Sequence, residues 1–330
     1  MKSALRGVPG VVEAKRLIVS SYRLARPLRP PVESAALVAR MLEPQPDDSF
    51  ISGNGLAARC RYVLNYDTFK LNDEVENDWW FCNPEFLEYF FRQLAPREPF
   101  VLFTHNSNVD RPIGTQFASR LDRPELTAWF ATQAALRHPK LFSFPLGVGN
   151  HVKCKGEVLK QVQQQRIAKS RLFEASFDVR TNTSERRYCI EQTGIEPEPK
   201  RPAAEYYERL ASSYFCLSPN GNGVDCYRTW QALSLRTIPV VTRSLLTEQH
   251  PDLPMIVLED WAQFRSIDFS PELYEEIWGG WNPECLGLDE YLQRVEGTIS
   301  VLQDDRAREP ASTARGQLEA PASVRSIRSR

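Results

Sequence analysis

A surplus of positive charge is the first thing this sequence lacks. Lys plus Arg number 41 against 42 for Asp plus Glu, a formal net charge of -1, whereas a nucleic-acid coat or a polybasic membrane binder needs excess cations. Long apolar runs are missing too. No stretch approaches the roughly 20 apolar residues that span a bilayer, and residues 1–20 hold no apolar run of secretory-signal length. A cytoplasmic location is therefore expected, with peripheral membrane contact left open. The seven cysteines are odd in number and show no C-x-x-C spacing, which points to free thiols in a reducing compartment. The four histidines form no H-x-E or H-E-x-x-H pattern and the acids form no D-x-D, so neither a zinc site nor an obligatory divalent cation is expected. No repeat at solenoid periods is found.

What is present suits a folded enzyme-sized chain. At about 150 residues per domain, the 330 residues make two modest domains, and 42% hydrophobic with 11% aromatic residues is enough for sizeable cores. Prolines gather between elements, at 27–31, 44–46 and 197–202. Leu17 to Val19 is a short strand candidate. Residues 304–330 are rich in Arg, Ala and Ser, poor in large apolar residues, and expected to be disordered.

Short apolar runs at Phe100–Thr104, Lys140–Pro145, Arg171–Val179, Tyr214–Ser218, Ile238–Thr242 and Met255–Leu258 have the look of strands. Helical patterns intervene at 124–137, 184–193, 203–212 and from Asp225 to about Leu235. Such alternation implies parallel sheets and an α/β fold, clearest after Pro202 and less regular in the first half. Two such halves would enclose a cleft at the carboxyl ends of their strands. The aromatic stripe Trp79, Trp80, Phe81, Phe86, Tyr89, Phe90 and Phe91 reads as core at helical spacing, although one Trp beside an acceptor site stays open.

The segment from Ser213 to Leu235 carries the chemistry. A strand ends at Ser218, and the turn Pro219-Asn-Gly-Asn-Gly223 opens backbone N–H groups. A helix then starts near Asp225, and helix N-termini with open Gly turns favour anions. Arg228, one turn in, suits a bidentate contact with a diphosphate. The alternative is a plain strand–turn–helix corner with Asp225 as N-cap and Arg228 solvated.

This segment resembles the C-terminal signature of exostosin-type glycosyltransferases. Cys216-Leu-Ser-Pro219 runs into the Gly-rich turn, Asp225-Cys-Tyr-Arg-Thr-Trp230 opens the helix, and Thr237-Ile-Pro-Val-Val241 follows as the next strand. Leu253 to Trp261 looks like the family's following strand and acidic-Trp step, and Phe177 to Asn182 with Ser184-Glu-Arg-Arg187 like its strand and Glu-Arg pair. The likeness covers about residues 169–264. It implies two Rossmann-like domains of the GT-B type, one at 1–145 on the acceptor side and one at 146–303 holding a nucleoside-diphosphate sugar. The implied activity is sugar transfer to a glycan or other hydroxyl acceptor, inverting, without metal or further cofactor.

Under this resemblance Arg187 and Arg228 would clamp the diphosphate, with Arg186 next and the backbone of Asn220, Gly221, Asn222 and Gly223 completing the cradle beside Ser218. Asp225 would cap the helix or touch the donor. Gln231 stands where the family often has Glu, so a ribose hydroxyl would lose charge assistance. An inverting transfer needs a base, and Phe103-Thr-His-Asn-Ser-Asn-Val-Asp110 offers His105 and Asp110 at a strand end; a structural hydrogen bond is the other reading of His105. A non-catalytic carbohydrate- or nucleotide-binding relative is the alternative function. A dehydrogenase is disfavoured because no G-x-G-x-x-G follows an early strand.

Overall fold

A computed structural model describes residues 50–65, 68–107, 112–150 and 156–308. The strand candidate Leu17–Val19, the acid Asp110 and residues 309–330 lie outside them.

The architecture is α/β, built on two sheets. The first has six strands in the order β2-β1-β3-β4-β5-β6: β1 (Tyr62–Asn65), β2 (Thr68–Leu71), β3 (Trp79–Cys82), β4 (Phe100–Thr104), β5 (Leu126–Ala131) and β6 (Leu141–Ser143). Only the edge pair β1–β2 is antiparallel; β1, β3, β4, β5 and β6 run parallel. The second sheet has the order β10-β9-β8-β7, all parallel, from β7 (Arg171–Glu174), β8 (Ser213–Leu217), β9 (Ile238–Thr242) and β10 (Ile256–Leu258).

Both sheets are covered on both faces, as parallel strands require. On one face of the first sheet Phe81, Phe103 and Phe130 pack against Leu56, Tyr291, Leu292 and Val295. On the other Trp80, Leu102 and Trp129 meet Leu87, Phe90 and Phe91. In the second sheet Cys216 joins Leu159, Tyr207, Leu210 and Trp230, while Phe215 and Val240 join Cys189, Trp261 and Tyr274.

Four sequence expectations change. Residues 124–137 do not form a helix: Leu126–Ala131 is the strand β5, between β4 and β6 and buried at every position. Burial on both faces removes the polar alternation that marks a strand, and the surviving apolar spacing imitates a helix. The run 171–179 leaves its sheet after Glu174 and turns into a 3-10 segment at Val179–Thr181. Trp79, Trp80 and Phe81 belong to strand β3 rather than to a helical stripe, whose helical part starts after them at Pro84; both tryptophans are buried core, Trp80 stacked on Tyr62 and Trp79 tilted on Phe103. Finally, the helix Leu288–Arg308 carries regular structure past residue 304, and it packs on the first sheet although its sequence position follows the second.

Candidate functional site

The carboxyl ends of strands from both sheets converge on one cavity of about 370 Å³. From the first sheet come Ser107 after β4, Thr132 and Gln133 after β5, and Leu146 after β6. From the second come Ser176 after β7, Gly221 to Gly223 after β8, and Asp225 to Arg228 at the start of the helix Tyr227–Ser234. Loops at strand carboxyl ends are where open parallel sheets bind ligands.

Arg186 and Arg228 dominate its electrostatics. Arg186 sits in the helix Thr183–Thr193 and is only 4% exposed. Its Nε donates to the Asn220 carbonyl at 3.0 Å and its Nη1 to the Asp178 carbonyl at 2.6 Å. Arg228 donates from Nε to the Ser176 carbonyl at 2.9 Å, and its Nη1 is buried without a hydrogen-bond partner. Both guanidiniums lie over the Phe177 ring, at 5.7 and 5.4 Å from its centroid. Burial and the neighbouring Arg228 charge together push the Arg186 pKa down. Among the described residues no carboxylate forms an ion pair with either one. An adjoining cavity of about 630 Å³ shares Gln133 and Gly221–Gly223, but its arginines are paired: Arg137 with Glu248 at 2.6 Å and Arg243 with Glu259 at 2.6 Å.

Asp225 is 5% exposed and lines the first cavity. It does not cap the helix, because Cys226 is the N-cap residue and makes no side-chain cap bond. Its Oδ1 accepts from Trp230 Nε1 at 2.8 Å and its Oδ2 from the Leu146 N–H at 2.7 Å. Burial outweighs these donors and raises its pKa to about 7. Its own backbone is held by Gln133, whose Nε2 donates to the Asp225 carbonyl and whose Oε1 accepts from the Asp225 N–H, both at 3.3 Å.

The other expected residues divide. Arg187 is exposed and does not line the cavity, since it sits one position round the helix from Arg186. Ser218 is buried away from it and hydrogen-bonds Thr229 Oγ1 at 2.9 Å, joining strand to helix. In the turn, the Gly221 N–H is already given to the Gly223 carbonyl at 3.0 Å, so that amide is not free for a phosphate. A Cβ on Gly221 would stand 3.0 Å from Arg186 Nη2, and one on Gly223 would be 2.2 Å from the Gln133 amide. Asn222 is exposed on the rim. Gln231 lines the floor, where its Oε1 accepts from Tyr206 Oη at 3.1 Å.

His105 is the clearest correction. It has 0% exposure and does not line either cavity. Its Nδ1 accepts from the Asn106 N–H at 2.7 Å, and burial holds its pKa down at about 4. A ring enclosed in this way orders the loop rather than reaching a substrate proton.

Sequence reasoning missed Thr132, Gln133 and Tyr206. The first two follow an apolar run directly, and reading 126–131 as a strand would have put them at its carboxyl end. Among the described residues no three His, Cys, Asp or Glu side chains gather to hold a metal ion, and no helix is long and apolar enough to cross a membrane. The six described cysteines are free. A scan against protein-family models returns no match for this chain, and a search of curated proteins finds no significant match.

Proposed function

We propose that this protein is a glycosyltransferase that moves a sugar from a nucleoside-diphosphate sugar to a hydroxyl acceptor, with its two sheets acting as the halves of a GT-B-type enzyme. The observation that carries the reading is the pair Arg186–Arg228. Two adjacent guanidiniums with no carboxylate partner among the described residues, on a cavity at strand carboxyl ends, need an anion to offset their repulsion. A diphosphate fits that need, and the first turn of the helix Tyr227–Ser234 adds the positive end of its dipole. The resemblance of residues 169–264 to exostosin-type enzymes points the same way.

In this reading the second sheet holds the donor and the first sheet faces the acceptor. As the bond between the anomeric carbon and the diphosphate breaks, negative charge grows on the leaving oxygen. Fixed cations in a partly desolvated site stabilise that charge more in the transition state than in the ground state. The diphosphate is met by arginine and by the helix rather than by a divalent cation.

Calorimetric titration with UDP and GDP, together with nucleoside diphosphate release from their sugar conjugates, tests this. Arg228→Ala should abolish detectable binding or weaken it at least tenfold, and Arg228→Lys should also bind less well because an ammonium lacks the planar fork. Arg187→Ala should match the parent. Equal binding by all four proteins would refute the reading. One observation favours a second one: Gln231 is engaged by Tyr206 and so has less to offer a ribose hydroxyl. A protein that binds UDP or GDP but releases none from any sugar conjugate would be a binding module.

A further inference from the structure

Of the two expected bases, His105 is enclosed away from the cavity and Asp110 lies outside the described residues. We propose that Asp225 is the general base that takes the proton from the attacking acceptor hydroxyl; this rests on the reading above. Among the described residues that line the cavity, Asp225 is the one carboxylate. The Tyr206 phenol and the Cys226 thiol there are poorer bases, for burial drives both upward and so keeps them protonated.

The local geometry fits the role. The Cys226 backbone bonds the Asp225 carboxyl, which also accepts from Trp230 Nε1 and from the Leu146 N–H; a carboxylate has about four lone-pair sites, so acceptor capacity remains. The Trp230 and Leu146 bonds fix the carboxyl to both halves of the molecule, as a positioned base needs. Burial raises its pKa, against the hydrogen bonds from the backbones of Leu146 and Cys226 and from the Trp230 ring N–H. The acidic groups that face it are the Cys226 thiol and the Tyr291 phenol, each pushed up in part by the Asp225 charge. A base held near pH 7 is half ionised where it must work. Arg186 and Arg228 line the same cavity as Asp225, so a donor held there by its diphosphate and a hydroxyl giving its proton to Asp225 share one chamber.

The step balances. The acceptor oxygen forms a bond to the anomeric carbon while its proton passes to Asp225. The bond from that carbon to the diphosphate oxygen breaks, and its electron pair leaves with the diphosphate. With water as acceptor the same step is donor hydrolysis. Neutral side chains of Ser107 and Thr132 line the same cavity.

The test compares parent, Asp225→Asn and Trp230→Phe, using UDP and GDP for binding and UDP-glucose, UDP-N-acetylglucosamine and GDP-mannose for turnover from pH 5 to 9. Asp225→Asn should bind the nucleotide within about threefold of the parent yet release it at least 100-fold more slowly, the scale of a lost general base. Trp230→Phe removes a donor that stabilises the carboxylate, so the acid limb of its pH–rate profile should move to higher pH. That shift decides the matter even if Asp225→Asn folds poorly. Turnover by Asp225→Asn within about threefold of the parent, or an unmoved acid limb in Trp230→Phe, overturns the assignment of the base while leaving sugar transfer standing. A parent that binds neither nucleotide overturns the sugar-transfer reading, and this proposal with it.

Discussion

The two walls of the cavity differ in kind. The wall from the first sheet is neutral: Ser107, Thr132, Gln133 and Leu146 offer hydroxyl, amide and backbone groups. The wall from the second carries the charge, with Arg186, Arg228 and Asp225. Both arise in the same way, as loops at the carboxyl ends of parallel strands, so topology places the cavity and loop sequence gives each wall its chemistry. The largest expected effect exploits that contrast. Replacing both Arg186 and Arg228 by Ala should cost UDP binding about 100-fold or more, because hydrogen bonds to charged groups contribute about 1.5–3 kcal/mol each and 1.4 kcal/mol is tenfold. Ser107→Ala with Thr132→Val on the other wall should change it less than about threefold. Equal losses from the two double variants, read by calorimetry, would erase the distinction between the walls.

A second contrast sets two buried titratable groups, His105 and Asp225, against each other. The folded-state pKa of His105 is lowered from 6.5 to about 4, so its contribution to stability is present above 6.5 and lost as pH falls through 4. That of Asp225 is raised from 3.8 to about 7, so its contribution is present below 3.8 and lost as pH rises through 7. Between pH 4 and 6.5 the two slopes oppose, each spanning about 3 kcal/mol at 1.36 kcal/mol per unit. In the parent they largely cancel. Chemical denaturation at pH 4.5 and 6.5 should separate them: His105→Gln should gain stability on acidification relative to the parent, and Asp225→Asn should lose it. If both variants kept the parent's slope, neither group would be titrating as its burial dictates.

These contrasts also mark what could be read from residues alone. The second half was legible because its strands, helices and turn are punctuated by Pro202, the Gly221–Gly223 turn and short apolar runs, each a local signal. Arg228 emerged from that pattern. The choice between Arg186 and Arg187 did not, because adjacent positions on a helix differ by about 100° in direction and only packing on Phe177 and the Asn220 carbonyl selects one. His105 misled for a related reason. A strand-end position foretold its height in the sheet but not its neighbours, and those depend on Gly53: a Cβ there would come within 2.4 Å of His105 Nδ1 and 1.8 Å of Asn106 Oδ1. Such closure between residues 52 positions apart has no signature in a local window. The same holds for Asp225, which is held by Leu146 and Gln133 from the other sheet as well as by Trp230 of the helix that follows it.

The contact that joins the two walls gives the smallest and most specific expectation. Gln133 holds a left-handed backbone, φ 60°, and spends its amide on the Asp225 backbone. Gln133→Ala keeps the strained φ and loses both bonds, so it should cost about 1–2 kcal/mol, since a typical hydrogen bond contributes about 1 kcal/mol. Gln133→Gly should cost less, because glycine relieves the roughly 1–2 kcal/mol that the left-handed region imposes on other residues. Gly223→Ala drives a methyl into the Gln133 amide and should destabilise by about 1–3 kcal/mol through overpacking. Once Gln133 is truncated the obstruction is gone, and Gly223→Ala should then be close to neutral. Thermal unfolding of the four members of this cycle reads the coupling directly. Additive effects would mean that the turn and the β5 loop do not meet, and that Asp225 is not held between the two sheets.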